Sequence, residues 1–384
     1  MAIWATLATD EHAPAIAAFY REVWSREATA QSVLAARREA ARHNVAAPGE
    51  APPTALVFED RRIIGYCGSI PQRLWDGTAE RPAYWVKGLM VLPEYRNGPI
   101  GFLAVKELAA KLPRSTILTV TLAARRLFSA LGYTDLGAVA NFVRPLRPGT
   151  LARRLDFAQL GLGGLPRWLT AGVRIVQRAG LATLAGAVAG VALDIGARAT
   201  RLATGRFSAG SVTDAPSLAE LDDLWRRARP RLAASPVRDG IDLRGRFGQP
   251  GTGPEANRHD FVTVSDGDRL AGMAVVRWPK AEGDPRLRGI RVATLSDMVF
   301  PPERADFGLA VLGGVEHAAR AAASDAILCT TSHSALAPLL RRQGYFRVPA
   351  NLHFFVRDTT GARWPQDLAS WWLTRGDGGS DEVF

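Results

Sequence analysis

Cysteine is scarce in this sequence. Cys67 and Cys329 are the only two among 384 residues, which excludes a disulfide framework and gives no cysteine-based metal site. We expect both to be buried free thiols in strands. The N-terminus also lacks a basic segment followed by an apolar core, so we expect no signal peptide and a cytoplasmic protein.

Lysine is scarce as well, and the only lysines are Lys87, Lys106, Lys111 and Lys280. Arginine therefore carries almost all of the formal net charge of +11. An arginine excess suits anionic partners such as a nucleotide, a nucleic acid or an acidic membrane surface, although composition bias alone would also produce it.

A basic segment at residues 148–206 contains an uncharged stretch, residues 179–193, that is too short to span a bilayer as a helix. We interpret the segment as helices packed between two lobes. The alternative is a peripheral anchor on an anionic membrane.

The most informative segment is a predicted strand–turn–helix unit at residues 89–112. An apolar run ends at Pro93, a polar turn follows, and residues 101–112 have apolar side chains on one helical face. The first amides of a helix have no intrahelical acceptor, and the helix dipole favours an anion there. The unit therefore predicts an anion site, unless it is an ordinary strand-to-helix connection.

The same plan occurs twice along the chain. Residues 89–96 align with residues 297–304, and three further landmarks pair in order: 62–65 with 269–272, 117–118 with 327–328, and 131–133 with 343–345. Landmarks at such nearly constant offsets predict two copies of one supersecondary plan, and therefore two domains.

The fold class predicted is α+β, an α/β three-layer arrangement of two lobes, each a mixed, mostly antiparallel sheet flanked by helices. Residues 1–147 should form the first lobe in the order βααβββαβαβ, closed by a strand at 141–143. The basic linker 148–206 follows. The second lobe, 207–360, should begin with a helix at 217–229, contain a loop at 240–259 and close with a strand at 352–357. Residues 361–384 form a tail.

The turn at residues 96–101 resembles motif A of the GNAT N-acyltransferases. Arg96 and Gly101 match the ends of that motif, while Pro99, which has no N–H, replaces its middle glycine. The resemblance implies an acyl-CoA donor, acetyl-CoA or another. Its pyrophosphate would lie on the turn, and an amide of the preceding strand would polarise the thioester carbonyl. The residues implied in donor binding are Met90, Val91, Arg96, Asn97, Gly98, Ile100 and Gly101.

The helix predicted at residues 123–133 resembles motif B of the same family. Phe128 stands where many relatives carry a tyrosine that protonates the departing thiolate, and a phenyl ring has no proton to give. We keep Phe128 as a donor contact and expect Tyr133, at the second aromatic position, to be a core residue.

A general base is hard to find, because the predicted central strand at residues 84–88 has no carboxylate where many relatives carry glutamate. We predict Asp297 and His333, on neighbouring strands of the second lobe, as catalytic residues of an acceptor pocket. A purely structural pair is the alternative. The second lobe's own turn carries Asp306 instead of the glycine spacing, so we expect that lobe to keep the fold without the donor.

The function expected from this resemblance is an N-acyltransferase in which an amine acceptor attacks the thioester directly. Double-lobed relatives include mycothiol-synthase-like and FemX-like proteins. Two alternatives stay open: a non-catalytic binding protein with a degenerate pocket, and a FemX-like transferase using aminoacyl-tRNA. The expected partner is a small-molecule amine, with peripheral contact to an anionic membrane through 148–206 as a second hypothesis and no nucleic acid.

Overall fold

A computed structural model describes residues 2–24, 27–118, 121–154, 211–213, 215–248, 259–279, 287, 289–350 and 352–379. The chain forms two compact units. Unit 1 comprises Met1–Ala138 and Asn351–Trp364, and unit 2 comprises Val139–Ala350 and Pro365–Phe384. Each unit contains a mixed, mostly antiparallel sheet flanked by helices, so the predicted fold class is confirmed.

Unit 1 has the predicted order of elements up to its fourth helix, and the strand that follows this helix was not predicted. The elements are β1 (Ile3–Leu7), α1 (Ala13–Trp24), α2 (Ala30–Arg42), β2 (Ala55–Glu59), β3 (Arg62–Trp75), β4 (Glu80–Val91), α3 (Ile100–Lys111), β5 (Arg114–Leu118), α4 (Leu122–Ala130) and β6 (Thr134–Ala138). A strand from much later in the chain, β15 (His353–Asp358), lies between β5 and β6, which gives the order β1-β2-β3-β4-β5-β15-β6.

Helices cover both faces of this sheet, and β3 shows how they are placed. Gly65 faces α3 so closely that a Cβ there would lie 2.5 Å from Cγ2 of Ile100. The next residue, Tyr66, points to the opposite face because strand side chains alternate, and its ring packs 5.9 Å from that of Phe19 in α1. Helices α1 and α3 therefore lie on opposite faces of the sheet.

Unit 2 has the sheet order β14-β7-β13-β12-β11-β10-β8. Its elements are β7 (Ala140–Pro145), α5 (Pro148–Arg154), β8 (Ser211–Thr213), α6 (Leu218–Ala228), β9 (Ser235–Pro236), α7 (Gly240–Phe247), β10 (His259–Asp266), β11 (Arg269–Arg277), β12 (Val292–Val299), α8 (Ala305–Ala321), β13 (Ala326–Thr331), α9 (Leu336–Arg342) and β14 (Phe346–Val348). The predicted helix at 217–229 is α6, whose first turn is closed by a capping box between Ser217 and Glu220.

The two strands predicted to close the sheets are exchanged between the units. The strand predicted at 141–143 is β7, which pairs with β13 and β14 in unit 2. The strand predicted at 352–357 is β15, which pairs with β5 and β6 in unit 1. Local alternation identifies a strand but carries no information about its neighbours. The compact units therefore do not follow the predicted boundaries at 147 and 360.

The predicted loop at 240–259 begins instead with helix α7. Asp239 is its N-cap, and its side chain accepts a hydrogen bond from the Asp242 amide. Leu243 and Phe247, four residues apart, are buried on one face. The N-cap and the apolar pair were missed because the stretch is rich in glycine and arginine, which is typical of a loop.

Most of the predicted basic linker lies outside the described residues, and the two interpretations offered for it fall there. Its first residues form α5. Within the described part of the chain, no helix has the length and apolar character needed to cross a membrane.

Candidate functional site

Strands β4 and β5 pair in parallel only over a short stretch in the middle of β4. Tyr84 pairs with Ser115 and Trp85 with Thr116, and the described residues show no further pairing between the two strands. From this point β4 continues to Val91 and β5 to Leu118. We call the gap between residues 86–91 of β4 and 117–118 of β5 the β4–β5 wedge.

The second half of β4 is accessible to solvent. Residues 83–86 are buried, whereas residues 87–91 are exposed or half-buried. Gly88 has a φ of +70°, a conformation that glycine adopts without strain, and the β3–β4 register shifts opposite it between Tyr66 and Gly68. The irregularity turns β4 away from regular pairing at the place where the wedge begins.

Two amides of the turn after β4 are already used within the turn. The Arg96 N–H donates to the Pro93 carbonyl (3.4 Å) and the Gly98 N–H to the Tyr95 carbonyl (3.0 Å). The expectation that the Gly98 amide would serve an anion therefore needs correction. Pro99 is the N-cap of α3 with a φ of −81°, where a missing N–H removes no helical hydrogen bond.

Four other amides at the end of the wedge remain available. The first bond into α3 runs from the Leu103 N–H to the Pro99 carbonyl (2.9 Å). The amides of Asn97, Ile100, Gly101 and Phe102 have no acceptor within the described part of the chain. They lie at the positive end of a 12-residue helix, which is the arrangement that binds phosphates.

The residues predicted for donor binding lie at the end of β4 and in the turn that follows it, with one exception. Arg96 lies on the surface and its Nε donates to the Val91 carbonyl (3.2 Å), at the end of β4. Met90, one residue earlier, pairs with Tyr66 of β3. The exception is Phe128, which is buried in the core beside Tyr133 and Phe355.

Tyr133 is a core residue, as expected. It is 3% exposed, and its hydroxyl shares a hydrogen bond with Ser115 Oγ (2.8 Å). Burial raises the pKa of Tyr133 to about 12, so the phenol stays neutral at physiological pH.

Unit 2 contains the equivalent wedge, but its own C-terminal segment fills it. Strands β12 and β13 pair in parallel as far as Leu295 and Cys329. Beyond that point the Gly376 N–H donates to the Ser296 carbonyl (2.6 Å) and the Trp372 Nε1 to the Met298 carbonyl (3.1 Å). Residues 293–299 are consequently all buried.

The turn that follows β12 is also closed to an anion. Arg304 Nη2 lies 2.6 Å from Asp306 Oδ2, and the Arg304 guanidinium stacks on the Phe307 ring at 3.6 Å. The Asp306 carboxylate stands at the start of α8, where it already supplies the negative charge that the helix dipole favours.

Asp297, predicted as catalytic, is a buried counter-ion. It is 0% exposed, and its Oδ1 accepts hydrogen bonds from Arg238 Nε (2.8 Å) and from the Met298 amide (2.8 Å). Arg246 Nη1 lies 3.3 Å from its other oxygen, and Arg238 also binds Asp377. A fully buried carboxylate that already binds two arginines has no oxygen exposed to a substrate.

His333, the second catalytic prediction, also has a structural environment. Its Nδ1 accepts a hydrogen bond from the Ala335 amide (3.1 Å), and its ring packs 4.6 Å from Trp372. Burial, together with the charge of Arg238, lowers the pKa of His333 to about 4. These surroundings correct the catalytic prediction and favour the structural alternative for both residues.

Comparison with known proteins agrees with this geometry. Residues 13–133 match the model of the Acetyltransferase (GNAT) family. That range contains the β4–β5 wedge, the turn and α3. The match covers most of unit 1, which we therefore call the GNAT unit.

Solved structures resemble the chain beyond the GNAT unit. A conserved protein of Enterococcus faecalis V583 has a TM-score of 0.54 at 11% identity, covering 94% of this chain and 73% of its own. Saccharomyces cerevisiae N-myristoyltransferase with bound myristoyl-CoA gives 0.53 at 11%, covering 93% and 79%. A GCN5-related N-acetyltransferase of Anabaena variabilis ATCC 29413 gives 0.50 at 12%, covering 94% and 73%. At such identities the likeness concerns the fold. Among curated proteins, none matches this sequence.

Two features of the protein escaped sequence analysis. One is the filling of the second wedge by residues 371–377, for which the sequence offered only the apolar pair Trp371 and Trp372 as a signal. The other is Tyr66, whose ring lies against the irregularity of β4 at Gly88. A Cβ on Gly88 would lie 3.6 Å from Cε1 of Tyr66. A tyrosine next to glycines in a strand gives no warning of such a role.

Proposed function

We propose that this protein is an N-acyltransferase that moves an acyl group from acyl-CoA to an amine acceptor. The observation that carries the proposal is the β4–β5 wedge, where the two strands no longer pair, together with the four amides without acceptors at its end. A phosphate-bearing thioester matches both parts, since a pyrophosphate needs N–H donors and a thioester needs a groove beside a strand with free backbone groups.

In the reaction, the amine nitrogen attacks the thioester carbonyl carbon. A C–N bond forms, the C–S bond breaks, the sulfur leaves as a thiolate, and the nitrogen loses one proton. The chain's part is to bind the donor's phosphates at Asn97 and residues 100–102, to hold the thioester in the wedge and to stabilise the developing oxyanion through a backbone amide of β4. Neither Asp297 nor His333 is assigned a proton in this scheme.

The filled wedge of unit 2 supports a single donor site for each chain. The Trp372 indole and the Gly376 amide use carbonyls of β12, and the Arg304–Asp306 pair occupies the turn. The second GNAT-like half would then serve as a scaffold, which agrees with the expectation that it keeps the fold without the donor.

A second candidate function is acyl-CoA binding without catalysis. Two observations favour it: Phe128 stands at the acid position and has no proton to give, and the predicted base Asp297 is held in ion pairs with two arginines. The two functions predict the same donor binding and differ only in turnover.

Isothermal titration of the full chain with CoA and acetyl-CoA tests the shared part. We expect saturable binding with one site per chain. Binding at two sites would contradict the filled second wedge, and no binding would overturn the proposal. Release of free thiol from acetyl-CoA in the presence of a panel of amines, with the N-acylated product identified by mass spectrometry, then separates the transferase from the binding protein.

A further inference from the structure

A cavity of about 190 Å³ lies beside β3 of the GNAT unit, between this strand and helices α1 and α2. Helix α1 contributes Ile16 and Tyr20 to its walls, α2 contributes Val33 and Ala40, and β3 contributes Tyr66 and Ser69. This cavity lies on the face of the sheet opposite α3.

The cavity is one strand away from the wedge. In the β3–β4 register, Ser69 pairs with Val86 and Tyr66 pairs with Met90. The wedge begins at Val86. The β3 residues of the cavity wall therefore pair with the stretch of β4 that has no partner in β5, at the usual interstrand spacing of about 4.8 Å. A group attached to a thioester in the wedge would reach the cavity past Gly88 by displacing the Tyr66 ring, which lies against this glycine.

The polar side chains of the cavity wall have partners in the protein. The hydroxyls of Tyr20 and Tyr66 lie 3.2 Å apart, and Ser69 Oγ donates to the Pro53 carbonyl (2.6 Å). Arg37 donates to Asp10 and to the Ala8 carbonyl, each at 3.1 Å. These bonds satisfy the wall without any contribution from an occupant. Apart from these groups and Thr54, the wall consists of isoleucine, valine, alanine and proline side chains, and these suit a hydrocarbon group.

Its size limits what can enter. A cavity of about 150 Å³ lined by apolar side chains accommodates benzene, and the present volume therefore suits a group of about six carbons. Resting on the proposed transferase function, we propose that this cavity receives the acyl chain of the donor, and that the preferred donor is a linear acyl-CoA of about six carbons rather than acetyl-CoA.

Calorimetric titration of the full chain with CoA and with acetyl-, butanoyl-, hexanoyl- and decanoyl-CoA tests the proposal. Each buried methylene improves affinity by about fourfold. Hexanoyl-CoA carries four more methylenes than acetyl-CoA and should therefore bind up to about 250-fold more tightly, with no further gain for decanoyl-CoA. Equal affinity for every acyl length would overturn the inference and leave the proposed function intact. Absence of CoA binding would overturn the proposed function itself.

Filling the cavity provides a second test. Ala40→Leu should abolish the advantage of hexanoyl-CoA while leaving the affinity for acetyl-CoA unchanged. Ala36→Leu, at another cavity-lining but exposed position of α2, should do the same and guards against misfolding of the first variant. Ala35→Leu, exposed on the same helix and outside the cavity wall, is the matched control and should keep the wild-type preference. An unchanged preference in both cavity variants, or an equal loss for all donors, would contradict the assignment.

Discussion

Asn97→Asp should affect donor binding and folding stability in opposite directions, because the new negative charge weakens CoA binding and does not destabilise the fold. Asn97 is exposed and precedes α3 by three positions. A carboxylate there faces the positive helix end, so folding stability should stay constant or rise by up to about 0.5 kcal/mol. The same carboxylate would face the pyrophosphate. Two unit charges 4 Å apart repel by about 1 kcal/mol in water and more in a partly desolvated site.

With two charges on the pyrophosphate, the repulsion comes to about 2 kcal/mol, or about 30-fold weaker binding of CoA. Titration calorimetry at low salt measures this loss, which should shrink at high ionic strength because exposed charges are screened. Ala110→Asp is the matched control: it introduces the same charge at an exposed position about 15 Å further along α3, and CoA affinity should not change. Equal CoA affinities of Asn97→Asp and Ala110→Asp would refute an anion site at this turn.

Three further predictions concern residues assigned structural roles. Asp297→Asn should cost about 3–5 kcal/mol in chemical denaturation, because it leaves Arg238 buried without its partner, while turnover per folded molecule stays the same; lost turnover at full stability would restore a catalytic role. The pKa of His333 is lowered to about 4, below its value of about 6.5 in the unfolded chain. The contribution of neutral His333 to the free energy of unfolding is therefore complete above pH 6.5, and up to about 3 kcal/mol of it is lost as the pH falls to 4. His333→Asn should flatten this dependence, and an unchanged pH profile of stability in the variant would contradict the prediction. Tyr133→Phe should lose about 1 kcal/mol with its hydrogen bond to Ser115 and leave the pH profile of turnover unchanged, whereas a displaced alkaline limb would identify the phenol as the acid.

Local sequence signals located the elements well, because they depend on neighbours along the chain. Ser217 and Glu220 announce a helix start, and the run before Pro93 announces a strand and a turn. The exchange of β7 and β15 between the units could not be predicted in this way, since strand pairing is decided by contacts across more than 200 residues. Two strands in which apolar and polar residues alternate similarly can exchange places in the sheets, and the sequence of each strand gives no sign of the exchange.

The candidate site was predicted where it depends on the backbone of one turn and missed where it depends on tertiary packing. The residues around Arg96 and Gly101 meet at the end of β4 because they are consecutive in the chain. Asp297 looked functional because a carboxylate in an apolar strand is costly. Its cost is offset by Arg238 and Arg246, which are distant in sequence and were not recognised as its partners.

A crystal structure of the full chain with CoA tests the central claim most directly. We predict pyrophosphate oxygens within hydrogen-bond distance of the amides of Asn97, Ile100, Gly101 and Phe102, the thiol end between β4 and β5, and no nucleotide beside β12. Pyrophosphate bound elsewhere, or CoA in the second wedge with residues 371–377 displaced, would contradict the account.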